Sequence, residues 1–177
     1  MLLRNFGLKF YSISANISEF YDNTKDYSDL VLRLAEQKAL TVSKKRDGVI
    51  IGADTIVVFK GKILGKPATK NEAKRILEML SGKTHKVYTG LVILNSYSNK
   101  LYKTYEVTKV KFRKLLSKEI DFYVNSNAPM DKAGAYGIQD DFGSTFIEKI
   151  EGDYFNVVGL PLLKTYIGLK NFVKLKI

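Results

Sequence analysis

One carboxylate interrupts a long apolar stretch of this sequence. Residues Val49–Phe59 read VIIGADTIVVF, with Asp54 as the only charge. A run this apolar predicts a strand buried on both faces. Burying an unpaired carboxylate costs several kcal/mol, so the chain must gain something from it. Gly52 and Ala53 are small enough to let another backbone or a ligand come close. Asp54 is therefore expected at a strand end facing a cleft, where it either binds a metal ion or activates water. The plain alternative is a strand-end aspartate that caps the next turn.

Two further stretches carry candidate chemistry. Lys38 lies four residues past Leu34 on the apolar stripe Leu30, Val31, Leu34, Ala35, Ala39 and Val42. A lysine on that stripe either snorkels to solvent or points its ammonium into a site. The segment Asp131–Gln139, DKAGAYGIQ, is unlike its surroundings in its small residues. Small residues allow close approach to a ligand. There Lys132 can meet a phosphate as a point charge, and Gln139 can read a base edge because an amide both donates and accepts. The competing reading is a tight loop with surface polar residues.

The elements that must position these residues follow from local signals. Leu8–Ser14 alternates like a strand, and the polar stretch Ala15–Lys25, which holds Glu19, has loop composition. Asp26 is an N-cap candidate for a helix to about Ser43. After Val49–Phe59, Lys60-Gly61-Lys62 predicts a hairpin into Ile63-Leu64-Gly65, and Lys66-Pro67 must be extended. Thr69–Glu72 is a capping box for a helix with Ala73, Ile76, Leu77 and Leu80 inward, closed by Gly82. Lys86–Asn95 and Leu101–Arg113 are long strands joined by a polar turn. Ser117 can cap a helix over Lys118–Asn125. Glu151–Tyr154 is a turn, and a last helix starts near Leu160 with Pro161 in its first turn.

Composition excludes several classes. The 177 residues are enough for one domain, or one domain with two lobes, and for a proper core. There are no cysteines and a single histidine, His85. That removes disulfides, thiol catalysis and multi-histidine metal sites. No run approaches a membrane span and no secretory leader opens the chain, so a cytoplasmic protein is expected. The net charge is +11. Nucleic-acid binding is the tempting inference. However, the lysines are scattered and no nucleic-acid motif is present. A lysine-rich proteome would give the same composition with no function attached.

Taken together, these segments resemble the Maf family of nucleoside triphosphate pyrophosphatases. The resemblance rests on LAEQKA (Leu34–Ala39), GADTIV (Gly52–Val57), GKP (Gly65–Pro67), LSGKTHKVYTG (Leu80–Gly90), DKAGAYGIQ (Asp131–Gln139) and EGDYFNVVGLPL (Glu151–Leu162). Their order and spacing run along nearly the whole chain. The resemblance implies an α/β fold with a long bent mixed sheet and two lobes around a cleft. It implies cleavage of a nucleoside triphosphate between the α and β phosphates, with Mg2+ or Mn2+, in a cytoplasmic and commonly dimeric protein. Thr55 and Gln139 are similar to the branch acting on dTTP and UTP. Carried over, Asp54 is the proton acceptor and metal ligand, and Lys38 and Lys66 are catalytic. Glu19, Thr55, Lys132 and Gln139 bind substrate. Lys38 then points into the cleft, and His85 is structural, hydrogen-bonded near a strand start.

The family also begins with a strand and a Ser-x-Ser-Pro-Arg-Arg loop that holds phosphates. This sequence opens at what looks like the helix and turn that follow that loop, about ten residues on. A late start codon, a truncated chain and a degenerate gene would each account for it. The loss of two arginines, strong bidentate phosphate ligands, predicts weak or absent activity and a sheet with a newly exposed edge. A nucleotide-binding protein without catalysis is therefore the alternative expectation.

Overall fold

The computed structural model describes residues 2–3, 8–18, 21 and 26–174. Val49–Phe59 forms one unbroken strand, β1. Its first half alternates between buried and half-buried positions, and its second half is buried on both faces. β1 turns through Lys60-Gly61, both at positive φ, into β2 (Lys62–Leu64), pairing Val57 with Leu64. This is the predicted hairpin, with the left-handed pair that a two-residue connection requires. The remaining elements are α1 (Tyr27–Ser43), α2 (Lys70–Leu80), β3 (Thr84–Asn95), β4 (Leu101–Phe112), α3 (Ser117–Asn125), β5 (Ile147–Glu151), α4 (Tyr154–Val158) and α5 (Leu162–Leu169). Short 3-10 turns occupy Ala128–Asp131, Ala133–Ala135 and Gly143–Phe146. The α/β sheet is five-stranded, in the order β2-β1-β3-β4-β5, with antiparallel pairing at both edges.

The chain divides into two compact units. One comprises Met1–Asp54, Thr89–Glu106 and Gly159–Ile177; the other comprises Thr55–Tyr88 and Val107–Val158. In the first unit, Ala35 and Ala39 of α1 pack on Ile50, Val92 and Leu94. Leu91 and Ile93, of opposite parity on β3, pack with Leu169 of α5. Strand alternation thus gives each helix its own face. Two glycines seat α1: a Cβ at Gly52 would stand 2.2 Å from the Ala35 carbonyl oxygen, and one at Gly90 would stand 2.2 Å from that of Val31. The second unit has its own core, built from α2, α3 and the strand segments around Val57, Val87 and Phe112, and closed by Tyr136 and Phe146.

Helix ends follow the expected capping, with refinements. The Asp26 carboxylate accepts from Asp29 N at 3.0 Å and starts α1. Thr69 Oγ1 accepts from Glu72 N at 3.2 Å, while Glu72 reaches back one residue further than a reciprocal box, to Ala68 N at 2.7 Å. Gly82 follows α2 at φ +67.

Several expectations are corrected. Leu8–Ser14 is not a strand. Alternation makes a strand only where a sheet edge accepts its ladder, and here Leu8 is half-buried while Tyr11 is 94% exposed. Ser117 is the first residue of α3 rather than its cap. Glu119 does the capping, accepting from Leu116 N at 2.8 Å and taking both outer nitrogens of Arg113. The last helix begins at Leu162, after Pro161. β5 and α4 were not anticipated. Among the described residues no helix is long and apolar enough to cross a membrane.

Candidate functional site

Asp54 lies in the middle of β1, not at a strand end, because the strand continues to Phe59 and Val57, Val58 and Phe59 pair with β2. Neither a strand-end placement nor a turn-capping role holds. Gly52 and Asp54 share the strand face that meets α1, as the alternation of burial requires. α1 lies close there because Gly52 has no side chain. That closeness lets Lys38 reach across: its Nζ donates to Asp54 Oδ1 at 2.5 Å. The Asp54 side chain is 3% exposed and that of Lys38 is 24% exposed. The lysine on the apolar stripe therefore turns inward and offsets the cost of the buried carboxylate. Thr55 is half-buried, and strand geometry sends its side chain to the opposite face from Asp54.

The second unit holds Lys66, Lys132 and Gln139. Gly134 N donates to Gly65 O at 3.2 Å, which ties the Asp131–Gln139 loop to the extended Gly65–Pro67 segment. Gly134 and Ala135 are both left-handed, at φ +71 and +59. A Cβ at Gly134 would press on Val57 at 3.0 Å. The Lys132 ammonium donates to Ala128 O at 2.6 Å and to Asp131 Oδ1 at 2.8 Å, and lies 3.5 Å from Asp140 Oδ2. The Asp131 carboxyl is held below its usual value, mainly by that hydrogen bond from Lys132 and in smaller part by the charges of Lys132 and Lys66. Lys66 and Lys132 thus act on the same patch. Both Lys66 and Gln139 are exposed. Glu19 lies outside the described residues.

His85, second residue of β3, is buried and shares a 2.8 Å hydrogen bond through Nε2 with the Tyr136 hydroxyl. Phe112 and Tyr136 meet its ring edge-on at 5.1 and 5.3 Å. Desolvation lowers its pKa from 6.5 to about 4, so it is neutral. This is the structural role that the sequence implied. Tyr123 and Asp140 escaped sequence reasoning: Tyr123 reads as a core aromatic, and nothing local links it to a residue 17 positions on.

Among the described residues no group of three or more His, Cys, Asp or Glu side chains is placed to hold a metal. A lone carboxylate suits a divalent cation in the other common way, in which one carboxylate joins substrate phosphates and water around the ion. Asp54, whose Oδ1 accepts from the Lys38 ammonium, is the carboxylate that would join such a set.

The structure is that of an α/β protein with a lysine-bound carboxylate buried in the middle of a sheet strand. Residues 1–172 match the Maf-like protein family, and the chain belongs to it. Relatives named dTTP/UTP pyrophosphatase include one from Bacillus anthracis (strain CDC 684 / NRRL 3495), 46% identical over 97% of this chain and 88% of its own length. Another, from Clostridium botulinum (strain Okra / Type B1), is 49% identical over 92% of this chain and 84% of its own length. A third, from Bacillus cereus (strain G9842), is 45% identical over 97% of this chain. Membership in this family points to dependence on a divalent metal in general.

Proposed function

We propose that this protein hydrolyses dTTP and UTP to the monophosphate and pyrophosphate. The observation that carries the reading is the buried Asp54 carboxylate bound by Lys38 in the middle of β1. A carboxylate kept inside an apolar strand, with a lysine drawn from an apolar helix stripe to pair it, is expected of a catalytic group rather than of packing. The names of relatives 45–49% identical supply the substrate.

In this reading Asp54 takes a proton from water as the water oxygen bonds to the α-phosphorus. The bond from that phosphorus to the αβ-bridging oxygen breaks, and pyrophosphate leaves. Lys38 and Lys66 oppose the negative charge that spreads onto the phosphate oxygens. Lys132 meets the phosphates, Gln139 reads the pyrimidine edge, and Glu19 and Thr55 complete substrate binding. A Mg2+ or Mn2+ ion held by Asp54 and the triphosphate would supply charge neutralisation. The same reading places the enzyme in the cytoplasm as a homodimer that clears nucleotides, with neither nucleic acid nor membrane as partner.

The test is pyrophosphate release from a panel of triphosphates with Mg2+ or Mn2+. Equal amounts of monophosphate and pyrophosphate are expected from dTTP and UTP; orthophosphate as product would overturn the bond assignment. Asp54→Asn should bind nucleotide and lose turnover by about a hundred- to ten-thousandfold. Unchanged turnover removes Asp54 from the base role. Binding without any cleavage by the unaltered chain would replace the enzyme reading with a nucleotide-binding one.

A further inference from the structure

The Gln139 end of the loop that carries Lys132 and Gln139 is held by a buried phenol. Tyr123 of α3 is 1% exposed, its ring edge-on to Phe146 at 5.2 Å. Its hydroxyl accepts from Gly137 N at 3.1 Å and donates to Asp140 Oδ2. Two glycines make room for that junction. A Cβ at Gly137 would stand 2.5 Å from Asp140 Oδ2, and one at Gly143 would stand 2.8 Å from the Tyr123 hydroxyl. Asp140 in turn faces the Lys132 ammonium at 3.5 Å. Ile138 is buried, so Gln139 is an exposed amide with anchored residues on both sides.

We propose that Tyr123 is a positioning residue for base selection: by holding the Gly137 amide and the Asp140 carboxylate it fixes the residues that bracket Gln139. The inference rests on Gln139 reading the base. A glutamine amide turned over complements cytosine as well as it complements uracil or thymine, because its donor and acceptor exchange places. Preference for uracil and thymine therefore requires an amide held one way up, and a fixed backbone is the first condition for that.

Tyr123→Phe keeps the ring and removes the hydroxyl. Expected is a fall of about tenfold in the ratio of kcat/KM for UTP over CTP, with kcat for UTP held within about twofold. Gln139→Ala should lower the same ratio, and the double variant should go no lower than Gln139→Ala alone. If Gln139→Ala lowers the ratio while Tyr123→Phe leaves it, or if the two effects add, the positioning role is wrong and base reading stands. If Gln139→Ala leaves the ratio unchanged, base reading falls and takes this inference with it. Should Tyr123→Phe fail to fold, Asp140→Ala cuts the same link from its other end and must lower the ratio. Asp140→Asn, which keeps an oxygen acceptor for the hydroxyl, must hold it; failure of either expectation overturns the proposal.

Discussion

Lys38 and Asp54 illustrate how a single residue type at an unexpected place becomes informative. A lysine on an apolar helix stripe and an aspartate in an apolar strand each look like an error of patterning, and each resolves the other at 2.5 Å. Both were legible in the sequence because they violate a local rule. Their partnership was not, since nothing in the order of residues states which helix face lies on which strand face. His85 shows the converse case, a histidine kept for packing. Its pKa of about 4 in the fold lies below the 6.5 it regains on unfolding. Between those values the unfolded chain binds more protons, so the stability His85 provides is complete above about 6.5 and is lost as pH falls toward 4. Between pH 7 and pH 5 that loss amounts to about 2 kcal/mol. Glu119, held down to about 2 first by its hydrogen bond from Arg113, loses its contribution only as pH falls from 4.5 toward 2. His85→Gln should therefore flatten the urea-unfolding midpoint between pH 7 and pH 5 and leave the lower acid limb in place. An unchanged slope would assign the acid sensitivity to another group.

At the scale of elements, the decisive feature is the missing side chain at Gly52. The sequence indicates only that something must come close to Gly52-Ala53, either a backbone or a ligand. The structure assigns the place to the Ala35–Ala39 turn of α1. Gly52→Ala forces a methyl group into a gap of 2.2 Å to the Ala35 carbonyl oxygen, so α1 must lift from β1. Expected are a stability loss of about 2 kcal/mol and a larger proportional loss of turnover, because Lys38 rides on the displaced helix. Equal turnover in a folded Gly52→Ala protein would show that the Lys38–Asp54 contact tolerates the shift. The long strands, α1, α2 and the β1–β2 hairpin could be read ahead because period, caps and turn residues agree. β5 could not. Its sequence IEKIE is short and mostly charged, and it becomes a strand through pairing of Lys109 with Glu151 and Val110 with Ile150 on β4. The same dependence on a partner explains Leu8–Ser14, which alternates yet forms no strand.

For the whole molecule, the motifs in their order were the strongest signal, and they lead to the family that matches residues 1–172. The charge of +11 is the least specific, because many lysines are engaged at home. Lys109 pairs with Glu151, Lys111 with Glu148, Lys74 with Asp121 and Lys164 with Glu106. Such exposed pairs contribute little stability, but they cancel part of the field near the surface. The excess that remains either attracts an anionic substrate or is a trace of composition, and salt separates the two. Raising ionic strength from 0.1 to 1 M shortens the screening length from about 10 to about 3 Å. If the field gathers triphosphate, KM for UTP should rise by about tenfold over that range at saturating Mg2+, while kcat, set by groups already in contact, stays within about twofold. Single-stranded RNA at matched phosphate concentration should not compete, since a nucleic-acid site would show itself by tight, salt-steep binding. A KM that ignores salt would mean that the positive charge does nothing for this reaction, and that the lysines around the pairs answer to composition alone.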